Sequence, residues 1–279
     1  AKKRPLKKEN KMAKKDVAVQ EEAGLPAEFL NEMALDAGAG SEEITTDDLA
    51  IPFLRVLQKM SPQLSKREAE YVEGATDGDI INTVTGQLWT CSDEKDPAKV
   101  TIIPVDFKFK VMEWWPRNSK LGSGLVKSYT RDEELPVHER KENAEGKLKT
   151  ITEKGTELID TAEHYVLIVH ADGKMEQALI AMSSTQLGAS RKWNSLIKQK
   201  MLSTANGPVP APSFSHMYTL GTAYKSNDDG EWAVFTVADA GRVEDIDIYR
   251  AAKAFNSSVS TGQVVVKHTQ EGTSTEVPF

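Results

Sequence analysis

The chain has 279 residues, with 35 Lys and Arg against 42 Asp and Glu, a formal net charge of −7, a single cysteine and 39% hydrophobic residues. That length allows one large domain or two small ones with a real core, and the negative balance argues against a uniformly basic protein that coats nucleic acid by charge alone. A lone Cys91 excludes an intramolecular disulfide and a multi-cysteine zinc site, and the lack of any run of about 18 apolar residues predicts a soluble, intracellular protein with no membrane partner.

The charge is segregated along the chain. Lys2, Lys3, Arg4, Lys7, Lys8, Lys11, Lys14 and Lys15 face only Glu9 in residues 1–15, whereas residues 16–50 hold ten acids and no Lys or Arg. Neither block has enough large apolar side chains to offset the entropy of ordering, so residues 1–44 are expected to be a disordered charged arm. Leu25 to Leu35 could form a transient helix against a partner.

The main domain is expected over residues 45–243. Thr45 to Asp48 suit a helix cap, and Pro52 fits the first turn of a short helix running to Leu57. Ile80 to Trp89 reads as a hairpin around Gly86. Val100 to Trp115 alternates, with Ile103, Val105, Phe107, Phe109 and Val111 on one side and Asp106, Lys108 and Lys110 on the other, as a half-buried strand with a bulge at Pro104 would.

Residues 128–160 read as an exposed, charged insertion. A hairpin from His164 to Met182 turns at Asp172-Gly173, and Ser184 to Met201 is predicted as a helix ended by Asn206-Gly207-Pro208. A third hairpin, Phe214 to Val237, turns at Asp228-Asp229-Gly230. A last helix is predicted over 244–256 and a flexible tail over 257–279. The expected fold is α+β: a curved antiparallel sheet or OB-like barrel with one central helix and disordered termini.

Catalytic motifs are missing. There is no phosphate-binding loop, nucleophile elbow or calcium loop, and His138, His164, His170, His216 and His268 are scattered. The sequence therefore predicts no enzyme, no catalytic residue, no metal and no cofactor. It does interleave rings and cations: Lys108, Lys110, Trp114, Trp115, Arg117 and Lys120 lie close together, and residues 177–227 contain Arg191, Lys192, Lys198 and Lys200 but no Asp or Glu. Single-stranded nucleic acid is held by cations that follow its phosphates and by rings on which its bases stack. Adjacent Trp114 and Trp115 would point to opposite faces of a strand, one into the core and one outward as a platform. Trp193 shares a helical face with Leu196 and Ile197 and is read as core.

The last four residues, Glu276, Val277, Pro278 and Phe279, resemble the C-terminal tip of bacterial single-stranded DNA-binding proteins. That resemblance implies docking of phage or host replication proteins through the tip. Asp48 to Pro62, Gly78 to Gly86, Ser183 to Ser195 and Phe214 to Tyr218 are similar to a group of tailed-phage proteins from replication modules, some labelled single-stranded DNA-binding, over about residues 45–240. The implied role is non-sequence-specific binding of single-stranded DNA in phage replication and recombination, in the host cytoplasm, with a homo-oligomer compatible. A virion structural or packaged protein and a strand-annealing recombination protein are the alternatives.

Overall fold

The computed structural model describes residues 26–43, 50–92, 97–116, 119–142, 146–228, 230–264, 266 and 268. The chain divides into two units, Ala1–Ile44 and Thr45–Phe279. In the first, helix α1 (Ala27–Leu35) carries Phe29, Met33 and Leu35 as exposed side chains. Its nine residues are fewer than an isolated helix needs for stability in water, about 12–15. The basic arm of residues 1–15 and the capping stretch Thr45 to Asp48 lie outside the described residues.

The second unit is built on two long strands, β4 (Val100–Trp114) and β8 (Glu157–Val169), paired antiparallel from Ile102↔Ile168 to Trp114↔Glu157. Beside β4 lie β12 (His216–Asn227), which pairs with Val100 to Ile102, and β5 (Leu125–Tyr129), which pairs with its far end. β13 (Gly230–Arg242) pairs along β12. On the other side of β8, β9 (Met175–Ser183) pairs with residues 161–169, and the hairpin of β6 (His138–Glu142) and β7 (Leu148–Thr152) joins at Ile151↔Glu157. The result is an eight-stranded antiparallel sheet. A small sheet of β1 (Leu54–Val56), β2 (Ile80–Asn82) and β3 (Leu88–Trp89) packs on it. In chain order the helices of this unit are α2 (Leu187–Lys198) and α3 (Ile246–Ser260), with a small hairpin, β10 (Met201–Thr204) and β11 (Gly207–Pro210), after α2.

Pro104 explains how the main sheet serves two cores. Proline has no N–H to give to a ladder, and the β4–β8 register shifts between Pro104 and Asp106, where Val105 is the extra residue. The bulge reverses the alternation. Ile103 and Val105 join Tyr165, Leu167 and Leu179 under α3, while Ile102 and Phe107 join Val166, Ile180 and Trp193 under α2. The five apolar positions expected on one side of this strand are thus split between both faces.

Several other expectations are corrected. No helix forms over Pro52 to Leu57: Leu54–Val56 is strand β1, Phe53 bridges Leu179 in parallel, and Leu179 N donates to Pro52 O at 2.8 Å. Gln58 then reaches β13, its Nε2 donating to Ala233 O at 2.9 Å and its Oε1 accepting from Ala233 N at 3.1 Å. A side-chain amide so copies a backbone pair, and residues 52–58 span the space between the free edges of β9 and β13. Residues 128–160 are not a mere insertion, since they supply β6, β7 and the buried Tyr129, Ile151, Thr152 and Thr156. Met201 begins β10 instead of ending the helix, and Asn206-Gly207 lies at the turn of its hairpin. Helix α3 runs to Ser260, not 256, and Val264 and Val266 pack on the core beneath it.

Candidate functional site

Helix α2 presents the clearest charged surface. It starts abruptly at the end of β9, through a 3-10 turn at Ser184–Gln186 whose first residue, Ser184, adopts φ 49°. A non-glycine residue in the left-handed region costs about 1 kcal/mol or more and persists where its surroundings fix it. Trp193 anchors the helix, fully buried, with Leu187, Leu196 and Ile197 at its flanks. The spacing that buries Trp193 turns Arg191, Lys192, Ser195 and Lys198 to solvent. None of the three cations has an acidic partner among the described residues. The fourth predicted cation, Lys200, is half-buried and bound to Asp239.

The anchor rests on an aromatic stack. Trp193 lies 4.4 Å from His164 at an interplanar angle of 19°, His164 is 4.9 Å from Phe107, and Tyr218 meets Trp193 edge-on at 6.0 Å. His164 Nε2 and Ser190 Oγ are 2.8 Å apart. Burial pushes the His164 imidazole down to about 3, so it is neutral at physiological pH and ties α2 to β8 without a charge. Burial likewise raises the Tyr218 hydroxyl to about 12, with the Asp239 charge adding to the effect. This buried serine–histidine pair has no access to a substrate.

The other predicted cations lie elsewhere. Lys108 and Lys110 project to the face that α3 covers. Lys108 Nζ donates to Val259 O at 3.1 Å, where a cation offsets the negative end of α3, and lies 5.4 Å from the Tyr165 ring centroid. Lys110 pairs with the buried Glu163 at 3.0 Å. The β4 and α2 cations therefore occupy opposite faces of the sheet and form no continuous patch. Lys120 is exposed, Arg117 lies outside the described residues, and so do Glu276, Val277, Pro278 and Phe279.

Trp114 ends β4 and Trp115 follows it, both half-buried, so neither is the fully buried member expected of the pair. The Trp115 indole lies against Gly122, where an added Cβ would stand 2.6 Å from Cε2. Gly122→Ala is expected to displace the ring or the loop at a cost of about 1–3 kcal/mol, as other overpacking substitutions do. A lower urea midpoint together with a shifted tryptophan emission would show it; an unchanged emission would mean that the loop moves and the ring does not.

Among the described residues three acids are buried, Asp79, Glu113 and Glu163, and the two glutamates carry no local signal in the sequence. Glu113 accepts from Tyr129 Oη and Thr156 Oγ1, each at 2.6 Å, in the β4–β5–β7 corner. Hydrogen bonding to this carboxylate, ahead of burial, raises the Tyr129 hydroxyl to about 12. Glu163 is the second: Lys110 Nζ lies 3.0 Å from it and Tyr165 Oη donates to it at 3.2 Å. No group of three His, Cys, Asp or Glu suited to a metal occurs among the described residues, and no described helix is long and apolar enough to cross a membrane.

Residues 20–265 match the family model described as Pam3 phage gp34-like protein. No curated protein and no solved structure is matched.

Proposed function

The chain belongs to the Pam3 phage gp34-like family and is a phage protein, and from that premise we propose that it binds single-stranded DNA without sequence preference during phage replication and recombination. The observation that carries this reading is the solvent face of α2. Arg191, Lys192 and Lys198 stand exposed, with no acidic partner among the described residues, within a 51-residue stretch, 177–227, that contains no Asp or Glu. A local anion-binding surface of this kind works inside a chain of net negative charge, because phosphates respond to the nearby field and not to the total. An OB-like barrel would suit this role, and residues 52–58, which contact both β9 and β13, are where the sheet would close into one. The protein acts in the host cytoplasm as a binding protein and not as an enzyme, with its C-terminal tip reserved for replication partners.

Titration of the full chain with dT oligonucleotides across a salt series tests the reading. Neutralising about three phosphates gives a slope of log K against log salt of roughly −2 for a single strand. Tighter binding to a duplex, or no shift of the oligonucleotide together with recovery of the protein in purified particles, would overturn it in favour of a virion component. Accelerated pairing of complementary strands would instead identify an annealing protein.

A further inference from the structure

We infer that the β10–β11 hairpin is a base-contacting arm, a step that rests on the function proposed above and on α2 as the phosphate-binding face. The bases of a single strand whose phosphates lie on α2 rest on the outer face of this hairpin, formed by Met201, Ser203, Pro208 and Pro210. Met201 stands opposite Pro210 and Ser203 opposite Pro208, so the four side chains share one face, and all four are exposed. Leu202, on the other face, is half-buried.

This hairpin differs from the rest of the fold in three ways. It forms a two-stranded sheet of its own, and an isolated pair of strands is marginally stable in water. Its root is held from outside the ladder: Ala211 N donates to Lys200 O at 2.9 Å, Lys200 N donates to Ile197 O at 3.1 Å, and the Lys200 ammonium is bound to Asp239. Those contacts fix the arm to the C-terminal end of α2, where Lys198 is the last helical residue and Met201 the first of β10. The second difference is the sequence of β11, Gly-Pro-Val-Pro. Proline has no N–H to donate and is tolerated only where that group would point away from the partner strand, so the outer edge of β11 is closed to a further strand. The arm therefore meets a ligand through side chains and not through its backbone. The third is charge: from Met201 to Tyr224 the chain carries no Lys, Arg, Asp or Glu. An uncharged apolar face rooted beside Arg191, Lys192 and Lys198 matches a single strand, whose charge lies on its phosphates and whose apolar area lies on its bases. Met201 keeps 45% of its surface accessible, and covering it with a base removes apolar area of both from water.

Binding of the full chain to a dT oligonucleotide and to an abasic deoxyribose-phosphate oligomer of the same length separates the arm from α2. The wild type should prefer dT. Met201→Ser combined with Pro210→Ser should lower dT affinity about fivefold or more and leave abasic affinity and the salt slope unchanged. The urea midpoint of this double variant should stay close to the wild type, because both positions are exposed. Met201→Trp is the complementary variant: its added indole should be quenched by dT, beyond the quenching seen in the wild type, and not by the abasic oligomer. If the double variant binds dT as the wild type does and the added indole is not quenched, the arm is overturned and α2 remains the phosphate-binding face. Equal loss of affinity for both oligomers also overturns the arm. No binding of dT by the wild type overturns the arm and the proposed function together. Dissociation of an oligomer in the double variant, seen by light scattering with dT affinity intact, would assign the face to a second copy of the chain instead.

Discussion

Lowering the pH from 7 to 4 should cost this fold about 3 kcal/mol through His164 alone, with unfolding followed by urea midpoints at each pH. The sign follows from where the proton binds. The folded imidazole is held at about 3 by burial, against an ordinary value of 6.5. Between those values the unfolded chain takes up the proton and the folded chain does not, so stability falls as pH drops through 6.5 and goes on falling toward 3. At about 1.4 kcal/mol per unit, the 2.5 units from 6.5 to 4 give the magnitude quoted. Glu163 adds a later step. Its folded-state value is depressed, so its contribution is present above the ordinary value of 4.5 and is lost as pH falls below it. His164→Gln keeps a polar side chain near Ser190 but removes its titration, so stability should fall less steeply than in the wild type between pH 6.5 and 5, the remaining slope coming from His216, whose imidazole burial also holds below its ordinary value. If the variant shows the same slope as the wild type in that interval, the acid sensitivity comes from elsewhere.

The stack that makes His164 titrate this way was only half legible in the sequence. Trp193 could be placed in the core from its i+3 and i+4 apolar neighbours, because helical periodicity reports burial directly. Nothing in the local sequence says that His164, Phe107 and Tyr218 meet it, since they come from three strands far apart in the chain. The same limit governs β4. Its alternation announced a strand, and Pro104 announced a bulge, but which side the residues after the bulge would face depends on a one-residue shift that only the pairing with β8 fixes. Residues 128–160 read as an exposed insertion for a related reason. Strands β6 and β7 carry charges at most exposed positions of a sheet edge, which discourages pairing with other chains but also conceals the strands from a reading based on hydrophobicity. Pro52 suggested a helix start, yet Phe53 to Val56 is drawn into strand by its bridge to Leu179, a long-range contact that outweighs local preference. Among the candidate site residues, exposure on α2 followed from periodicity, whereas the engagement of Lys108, Lys110 and Lys200 inside the molecule depended on partners up to 151 residues away.

Those partners make the two groups of lysines separable by mutation. Reversing Arg191, Lys192 and Lys198 to Glu should flatten the slope of log K against log salt by about 2 and weaken dT binding about a hundredfold or more, since each lost phosphate contact contributes about 0.7 to the slope for single strands. The urea midpoint should scarcely move, because these side chains are exposed and have no partners to lose among the described residues. Lys110→Met should behave in the opposite way. It leaves the buried Glu163 carboxylate with one cation fewer, and removing one member of a buried pair typically costs about 3–5 kcal/mol. Lys110 retains some exposure, its side chain being 19% accessible, so the lower end of that range applies. Its affinity for dT at a temperature where the variant remains folded should match the wild type, because α3 and not solvent lies over that face of β4. Loss of affinity in Lys110→Met without loss of stability would move the binding surface to the α3 face. Loss of both in the α2 triple variant would show that Arg191, Lys192 and Lys198 hold the fold together and do not meet phosphate.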